Sequence, residues 1–218
     1  MIDAPEINRI LEEQKEQILC STTNRKFLKI LKESFNDFSC EFKLIRKDQL
    51  LDDEYAVSGL YRPETDKVII IFHINKIRRF MDIKKEEWVD FKFLLSQTLQ
   101  HEFIHRFQYS KRDAVYGDPE EIDYRYFDEL LEEDEIAYLR DSDEIDAYSH
   151  DIAMEILYHY KKHNPLDVLK RIEKTRKVWS YRYYKSVFKK HNAKEWHVIK
   201  KKLLKKAYTW LPHTTIYR

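Results

Sequence analysis

Glycine is nearly absent from this chain, since only Gly59 and Gly117 occur among 218 residues. The glycine-rich loops that hold nucleotide phosphates, GxGxxG and GxxxxGK[ST], are both missing. A nucleotide-binding protein of either type is therefore excluded. So little glycine, with only five prolines, also favours a mostly helical chain.

Cysteine and long apolar runs are scarce as well. Cys20 and Cys40 are the only cysteines, and two cysteines without a secretory leader predict free thiols in a reducing compartment. Residues 1–15 are acidic and polar, unlike a signal peptide. The longest strongly apolar run, residues 68–72, is far too short to span a bilayer. We therefore expect a cytoplasmic protein with no membrane partner.

Charge is abundant and unevenly distributed. Charged residues make up 36% of the chain, hydrophobic residues 43% and aromatic residues 14%, which predicts a packed core with a charged surface and excludes disorder as the main state. The net charge of +1 conceals a balanced segment 1–111, a segment 112–160 of net −14 and a segment 161–218 of net +15. An acidic middle followed by a basic tail is typical of segments that contact other charged groups.

The sequence His101-Glu102-Phe103-Ile104-His105 carries the clearest chemical signal. Residues 88–108 contain neither Gly nor Pro, and their apolar residues recur at helical spacing, which predicts a helix over about 88–110. Two histidines four apart share one helix face and can bind one metal ion. The glutamate beside them can take a proton from a metal-bound water. The alternative is a chance match in which both histidines are ordinary helix residues.

A catalytic zinc site usually has three protein ligands, so a third must come from elsewhere in the chain. A metzincin-type extension would place Gly at 108 and His at 111, and Gln108 and Lys111 exclude it. A carboxylate on a second, downstream helix is the alternative. Its candidates, at the start of a helix predicted over about 142–160, are Asp143, Glu144 and Asp146.

In these two helices the chain resembles the gluzincin metallopeptidases, including the minimal, single-domain ones. In that family a Glu on a second helix, within Glu-x-x-Ala, is the third zinc ligand, and Glu144-Ile145-Asp146-Ala147 matches this pattern. The family's frequent Asp four residues after the ligand is replaced here by Tyr148. The resemblance extends over roughly residues 55–160.

The resemblance implies a ligand set and a general base. His101, His105 and Glu144 would bind one Zn²⁺ per chain, and Glu102 would act as the base. Residues 1–160 would then form a zincin-like metallopeptidase domain, with residues 161–218 as a basic, aromatic-rich helical extension packed on it.

The remaining pattern predicts a mostly helical α+β fold in which a small antiparallel sheet precedes the HExxH helix. Strand 67–72 could pair with an extended substrate if it edges the cleft. His73 at its end could face the cleft; the alternative, which the sequence favours, is an interior or surface histidine. Four side chains could stabilise an oxyanion: Tyr148, His150, Tyr158 and His159. The first predicted helix covers 4–19, and the second begins at a cap formed by Thr22 or Thr23. A third begins at 119 or 122 and ends at 131, and four more cover 142–160, 165–177, 178–191 and 193–209. The predicted strands cover 41–46, 55–61 and 67–73.

The basic tail has two interpretations. Lys and Arg interleaved with aromatic residues over 161–218 favour a nucleic-acid surface, with cations on phosphates and rings on bases. The alternative is packing, because a helical stripe through this tail is typical of a core-facing helix whose lysines are solvated. That stripe consists of Trp196, Ile199, Leu203, Ala207 and Trp210.

Together these features predict a zinc-dependent peptidase, a hydrolase that cleaves a protein or peptide substrate. One alternative is a nucleic-acid-binding or protein-interaction protein whose metal site is structural or vestigial. Glu102 bears on that choice, because a structural site does not need this carboxylate. Another alternative is a regulatory protease that cleaves a single partner.

Overall fold

The computed structural model of the protein describes residues 4–20, 22–51, 54–116 and 132–214. The chain divides into two compact units, residues 1–111 and 112–216, and each unit contains its own hydrophobic core. The predicted fold class, a mostly helical α+β protein with a small sheet before the HExxH helix, is confirmed. In the described ranges, every helix is too short or too polar to cross a membrane.

The first unit contains helices before and after a small sheet. Its helices are α1 (Ala4–Glu13), α2 (Lys15–Leu19), α3 (Asn24–Ser34) and α4 (Trp88–Tyr116), and its strands are β1 (Thr22–Thr23), β2 (Cys40–Lys47), β3 (Tyr55–Arg62), β4 (Lys67–Asn75) and β5 (Phe80–Met81). The helix predicted over 4–19 is interrupted at Gln14, whose N–H donates to Leu11 O at 3.1 Å in a tighter turn. Thr23 caps α3 as predicted, because its Oγ1 accepts a hydrogen bond from Lys26 N.

The main sheet is mixed, so the expectation of a purely antiparallel sheet was wrong. Its strand order is β2-β4-β3; β3 pairs antiparallel with β4, and β2 pairs parallel with β4. The physical reason lies in β4, which is the most apolar of the three strands and is buried along nearly its whole length. A strand buried in this way belongs in the centre of a sheet, so β4 inserts between the two strands that precede it.

The two faces of this sheet have different neighbours. Val68, Ile70, Phe72 and Ile74 lie on one face and belong to the core of the first unit, together with residues of α1, α3 and α4. Residues on alternate positions, including His73, point to the opposite face. The HExxH helix α4 therefore packs in the same core as the even-numbered residues of β4.

The described part of the second unit consists of helices joined by turns and short loops. Its helices are α5 (Glu132–Arg140), α6 (Ser142–His159), α7 (Pro165–Lys170), α8 (Trp179–His191) and α9 (Ala193–Trp210). The helix predicted to end at residue 131 lies outside the described residues. Asn164 and Pro165 begin α7 as a cap and first helical residue. The helix predicted over 165–177 ends at Lys170 and is followed by one separate turn, Ile172–Lys174.

The apolar stripe of α9 faces the core of the second unit. Trp196, Ile199, Leu203 and Ala207 are buried there with residues of α6 and α8, which confirms the packing interpretation for this stripe. Several of the tail's cations are also in ion pairs. Lys185 and Lys200 both pair with Glu173.

The carboxylate of Glu173 links α8 and α9, because it pairs with Lys185 of α8 and Lys200 of α9. Partial burial raises its pKa, but hydrogen bonds from Lys185, Lys200 and Tyr181 outweigh burial and lower the pKa to about 2. A folded-state pKa below the ordinary 4.5 means that ionised Glu173 stabilises the fold above about pH 4.5. This stabilisation is lost as the pH falls towards 2.

We expect Glu173→Gln to lower the melting temperature by a few degrees at pH 7 and to make no difference near pH 2. Thermal unfolding of both proteins across this pH range, followed by circular dichroism, measures the difference. A gap in melting temperature that stays constant from pH 7 to pH 2 would show that the charge of Glu173 is not responsible.

Candidate metal centre

Three of the predicted site residues come together in the structure. One ligand atom from each of His101, His105 and Glu144 lies within 4.8 Å of the other two. The three side chains are buried, with relative exposures of 8%, 3% and 3%. Two imidazoles and one carboxylate gathered away from water are a donor set that can hold a metal ion.

The two histidines owe their placement to α4. They lie one turn apart, with ring centroids separated by 4.9 Å, as expected for positions i and i+4 of a helix. The next residue, Arg106, fixes the helix to the sheet, because its Nη2 donates to Asp66 Oδ2 at 2.5 Å. Asp66 belongs to the turn between β3 and β4 and also accepts a hydrogen bond from Tyr61. The histidine pair is thus anchored to the strands at its C-terminal side.

His105 has a hydrogen-bond partner that sets its tautomer. Its Nδ1 lies 3.0 Å from Gln108 Oε1. An amide oxygen only accepts, so Nδ1 donates in this hydrogen bond and Nε2 is the ring nitrogen left for a metal. Metal-bound histidines usually have such a partner on the other ring nitrogen. At His105 this partner is Gln108.

Glu144 lies in the first turn of α6. Asp141 caps this helix, since its Oδ1 accepts a hydrogen bond from Asp143 N at 2.7 Å; the cap therefore falls one residue before the predicted Ser142. The Ala147 that follows Glu144 in the Glu-x-x-Ala pattern is fully buried. A carboxylate near a helix N-terminus is also favoured by the helix dipole.

The two rival carboxylates point to other partners. Asp143 pairs with Arg112. Asp146 accepts a hydrogen bond from Trp210 Nε1 at 3.1 Å and pairs with Lys206 at the same distance, so it ties α6 to α9. Neither belongs to the group that includes the two histidines.

Glu102 is buried beside this group, with 6% relative exposure. Its side chain lies against Gly59 of β3. Gly59 is paired with Ile70 of β4, so Glu102 lies on the core face of the sheet. His73 points to the other face and hydrogen-bonds Ser58 at 2.8 Å. His73 therefore lies on the face of the sheet opposite Glu102, and the alternative in which it faces the cleft is not met.

The condition for substrate pairing by strand 67–72, that it edges the cleft, is not met either. In the main sheet β4 is paired on both sides, with β2 and with β3, so its backbone groups cannot take a further strand. The outer strand next to Glu102 is β3. Burial explains the difference, because a strand as apolar as β4 is central rather than peripheral.

The four candidates for an oxyanion donor have different surroundings. Tyr148 packs against Tyr184, with ring centroids 5.1 Å apart; burial and the nearby Glu144 carboxylate raise the pKa of Tyr148 well above its ordinary value, so its hydroxyl keeps its proton. His150 packs edge-on against Trp210. Tyr158 contacts His159 and Lys161. That one of these four side chains donates a hydrogen bond to the oxyanion stays a prediction.

Sequence reasoning missed two neighbours of the site, Gln108 and Gly59. The first carried a usable signal, because a polar residue three positions after a ligand histidine lies on the same helix face. The second carried none that is local, since strand and helix meet only through the fold. Both act on residues that the HExxH motif had already identified.

Comparison with known proteins adds no relative: no family model, curated protein or solved structure matches the chain. The likeness to gluzincins therefore rests on the motif residues alone. The grouping of His101, His105 and Glu144, which could hold a metal ion, is an observation independent of that likeness.

Proposed function

We propose that this protein is a zinc-dependent peptidase whose metal ligands are His101, His105 and Glu144. The observation that carries the proposal is the buried group formed by these three side chains. Two histidines and one glutamate, with a fourth position for water, are the ligand set of one class of catalytic zinc sites. Zinc bound in this way activates water and polarises a carbonyl oxygen as a Lewis acid.

Glu102 supplies the proton transfers. Its carboxylate follows a ligand histidine directly and is buried, so it can accept a proton from the attacking water and deliver it to the leaving amine. An extended substrate would add to the outer strand β3, which approaches Glu102 through Gly59. Main-chain pairing of this kind would present the scissile carbonyl close to the general base.

Cleavage of a proteome-derived peptide library tests the proposal without a known substrate. The zinc-loaded protein is incubated with the library, and new N-termini are identified by mass spectrometry. We expect new termini that disappear when a chelator is added and return when zinc is restored. The proposed function would be rejected if no chelator-sensitive termini formed at micromolar protein.

Nucleic-acid binding through α9 is a second candidate function, because one face of this helix is exposed and basic. Lys194, Lys201, Lys202 and Lys205 are exposed on the side away from the buried stripe. The tail's three acidic residues pair with other cations: Asp167 with Lys170, Glu173 with Lys185 and Lys200, and Glu195 with Arg140.

The chemistry of this α9 face favours nucleic acid over a lipid surface. In the described parts of the chain, Lys201, Lys202 and Lys205 form no ion pair, and the exposed Tyr208 lies on the same side of the helix. Insertion into lipid needs an exposed apolar helix face, but the apolar stripe of α9 is buried in the core. Lysines spaced along a helix suit a row of phosphates.

Salt dependence measures this second function. We expect the protein to bind a DNA duplex of unrelated sequence, with an affinity that falls steeply as salt increases. The triple variant K201A/K202A/K205A should reduce the slope of log K against log salt by up to about 3, since each phosphate contact contributes about 0.9. Fluorescence anisotropy over roughly 50 to 200 mM salt gives the slope.

The matched control removes three exposed lysines of α3, Lys26, Lys29 and Lys32, which changes the net charge equally. Its slope should stay close to that of wild type. An equal reduction in both variants would make the effect one of overall charge. No binding at low salt would eliminate this second function.

A further inference from the structure

Gly59 lies where a side chain would collide with Glu102. A Cβ atom built on Gly59 would be 2.5 Å from both Cγ and Oε1 of Glu102 and 2.8 Å from its Cδ. Non-bonded carbon atoms attract best at about 3.5–4.0 Å, so a methyl group does not fit there while Glu102 keeps its position. Space is the reason for glycine at this position, because the backbone of Gly59 is not left-handed.

A glycine in the middle of a strand is normally unfavourable. It loses more conformational freedom on folding than any other residue and contributes no side chain to the sheet. The chain has only two glycines, and one of them lies inside β3 at the point where β3 faces α4. The contact with Glu102 is a physical reason for that position.

We propose that Gly59 is a positioning residue for the general base. The missing side chain leaves a slot on the surface of β3, and the side chain of Glu102 fills this slot. Strand β3 pairs with β4, and this pairing places Gly59 opposite Ile70. The position of the slot is therefore fixed by the sheet. The proposal rests on the proposed function, because it assigns Glu102 the role of base.

A thermodynamic cycle on two residues tests the contact itself, without any activity. Gly59→Ala is measured in three backgrounds: wild type, Glu102→Gln and Glu102→Ala. Gln keeps the three atoms that meet the new methyl group, whereas Ala removes all of them. The two Glu102 variants therefore form a matched pair, since both lack the carboxylate and only one relieves the collision.

We expect Gly59→Ala to lower the melting temperature by about 3 °C or more in wild type and in Glu102→Gln. In Glu102→Ala the same substitution should cost nothing or raise the melting temperature, because alanine restricts the unfolded chain more than glycine does. An equal loss in all three backgrounds would overturn the proposal, because Gly59 would then be needed for the strand and not for Glu102.

Kinetics and metal content test the positioning role. The zinc-loaded Gly59→Ala protein should keep about one zinc per chain and a nearly unchanged KM, while kcat falls about 100-fold, as a displacement of about 1 Å can cause. Unchanged kcat, or loss of the zinc, would contradict positioning of Glu102. A wild-type protein without peptidase activity would reject the proposed function, and the thermal cycle would still decide whether Gly59 accommodates Glu102.

Discussion

Replacing Glu102 with Gln should lower kcat by at least about 100-fold while the zinc content stays at about one per chain. General acid–base catalysis typically contributes about 10²–10⁴-fold to the rate, and the amide of Gln cannot accept the proton from water. Gln has nearly the same shape as Glu, so the buried position and the contact with Gly59 are kept. Initial rates on a peptide identified from the library, with metal content measured on the same samples, give both quantities.

A control for this prediction is Glu33→Gln on α3. Glu33 is exposed and forms a long ion pair, 3.7 Å, with Lys29. The same chemical change at Glu33 should therefore leave kcat unaltered. Wild-type activity in Glu102→Gln would contradict the role of the base. If Glu102→Gln lost both its zinc and its activity, Glu102 would be needed for metal binding as well as for proton transfer.

Glu144→Ala should weaken zinc binding by at least about 100-fold. Loss of a residue that only supports a ligand costs about 10–100-fold in metal affinity, and loss of a ligand should cost more. The buried group would keep two imidazoles, which is fewer than the three protein ligands of a catalytic zinc site. Competition with a fluorescent zinc chelator measures the affinity of the variant against wild type.

Asp143→Asn and Asp146→Asn are the matched controls, because both remove a charge within two residues of Glu144. We expect both to bind zinc like wild type. Asp146→Asn should in addition lower the melting temperature, since it weakens the contacts with Trp210 and Lys206. Zinc loss in Asp143→Asn or Asp146→Asn, with binding preserved in Glu144→Ala, would reassign the third ligand.

Local signals explain why much of the fold could be predicted. Thr23 and Asn164 cap helices where the sequence places them, and α6, α8 and α9 each end within one residue of the predicted bounds. Caps and apolar spacing act over a few residues, so they can be recognised in one sequence. The interruption at Gln14 has no such signal, because neither Gly nor Pro occurs there.

Strand order could not be predicted in the same way. The apolar run in β4 indicated a buried strand, but burial alone does not identify its neighbours. The parallel pairing of β2 with β4 depends on the path of the chain, since β3 is formed in between and takes the other side. Strand 67–72 is central for this reason, and the condition for its pairing with a substrate is not met.

The candidate site shows the same division between local and distant information. The HExxH spacing identifies His101, Glu102 and His105 through helix geometry alone. The family resemblance favours Glu144 among three neighbouring carboxylates, and the structure groups it with the two histidines. The slot at Gly59 arises from a strand distant in sequence, so only the fold could reveal it.

Elemental analysis of the purified protein and of His101→Ala, each after exposure to zinc and removal of excess metal, tests the metal site most directly. We predict about one zinc per wild-type chain and a large loss of zinc in the variant, because His101 would supply one of the three proposed ligands. No zinc in either protein, or equal zinc in both, would contradict the proposed centre.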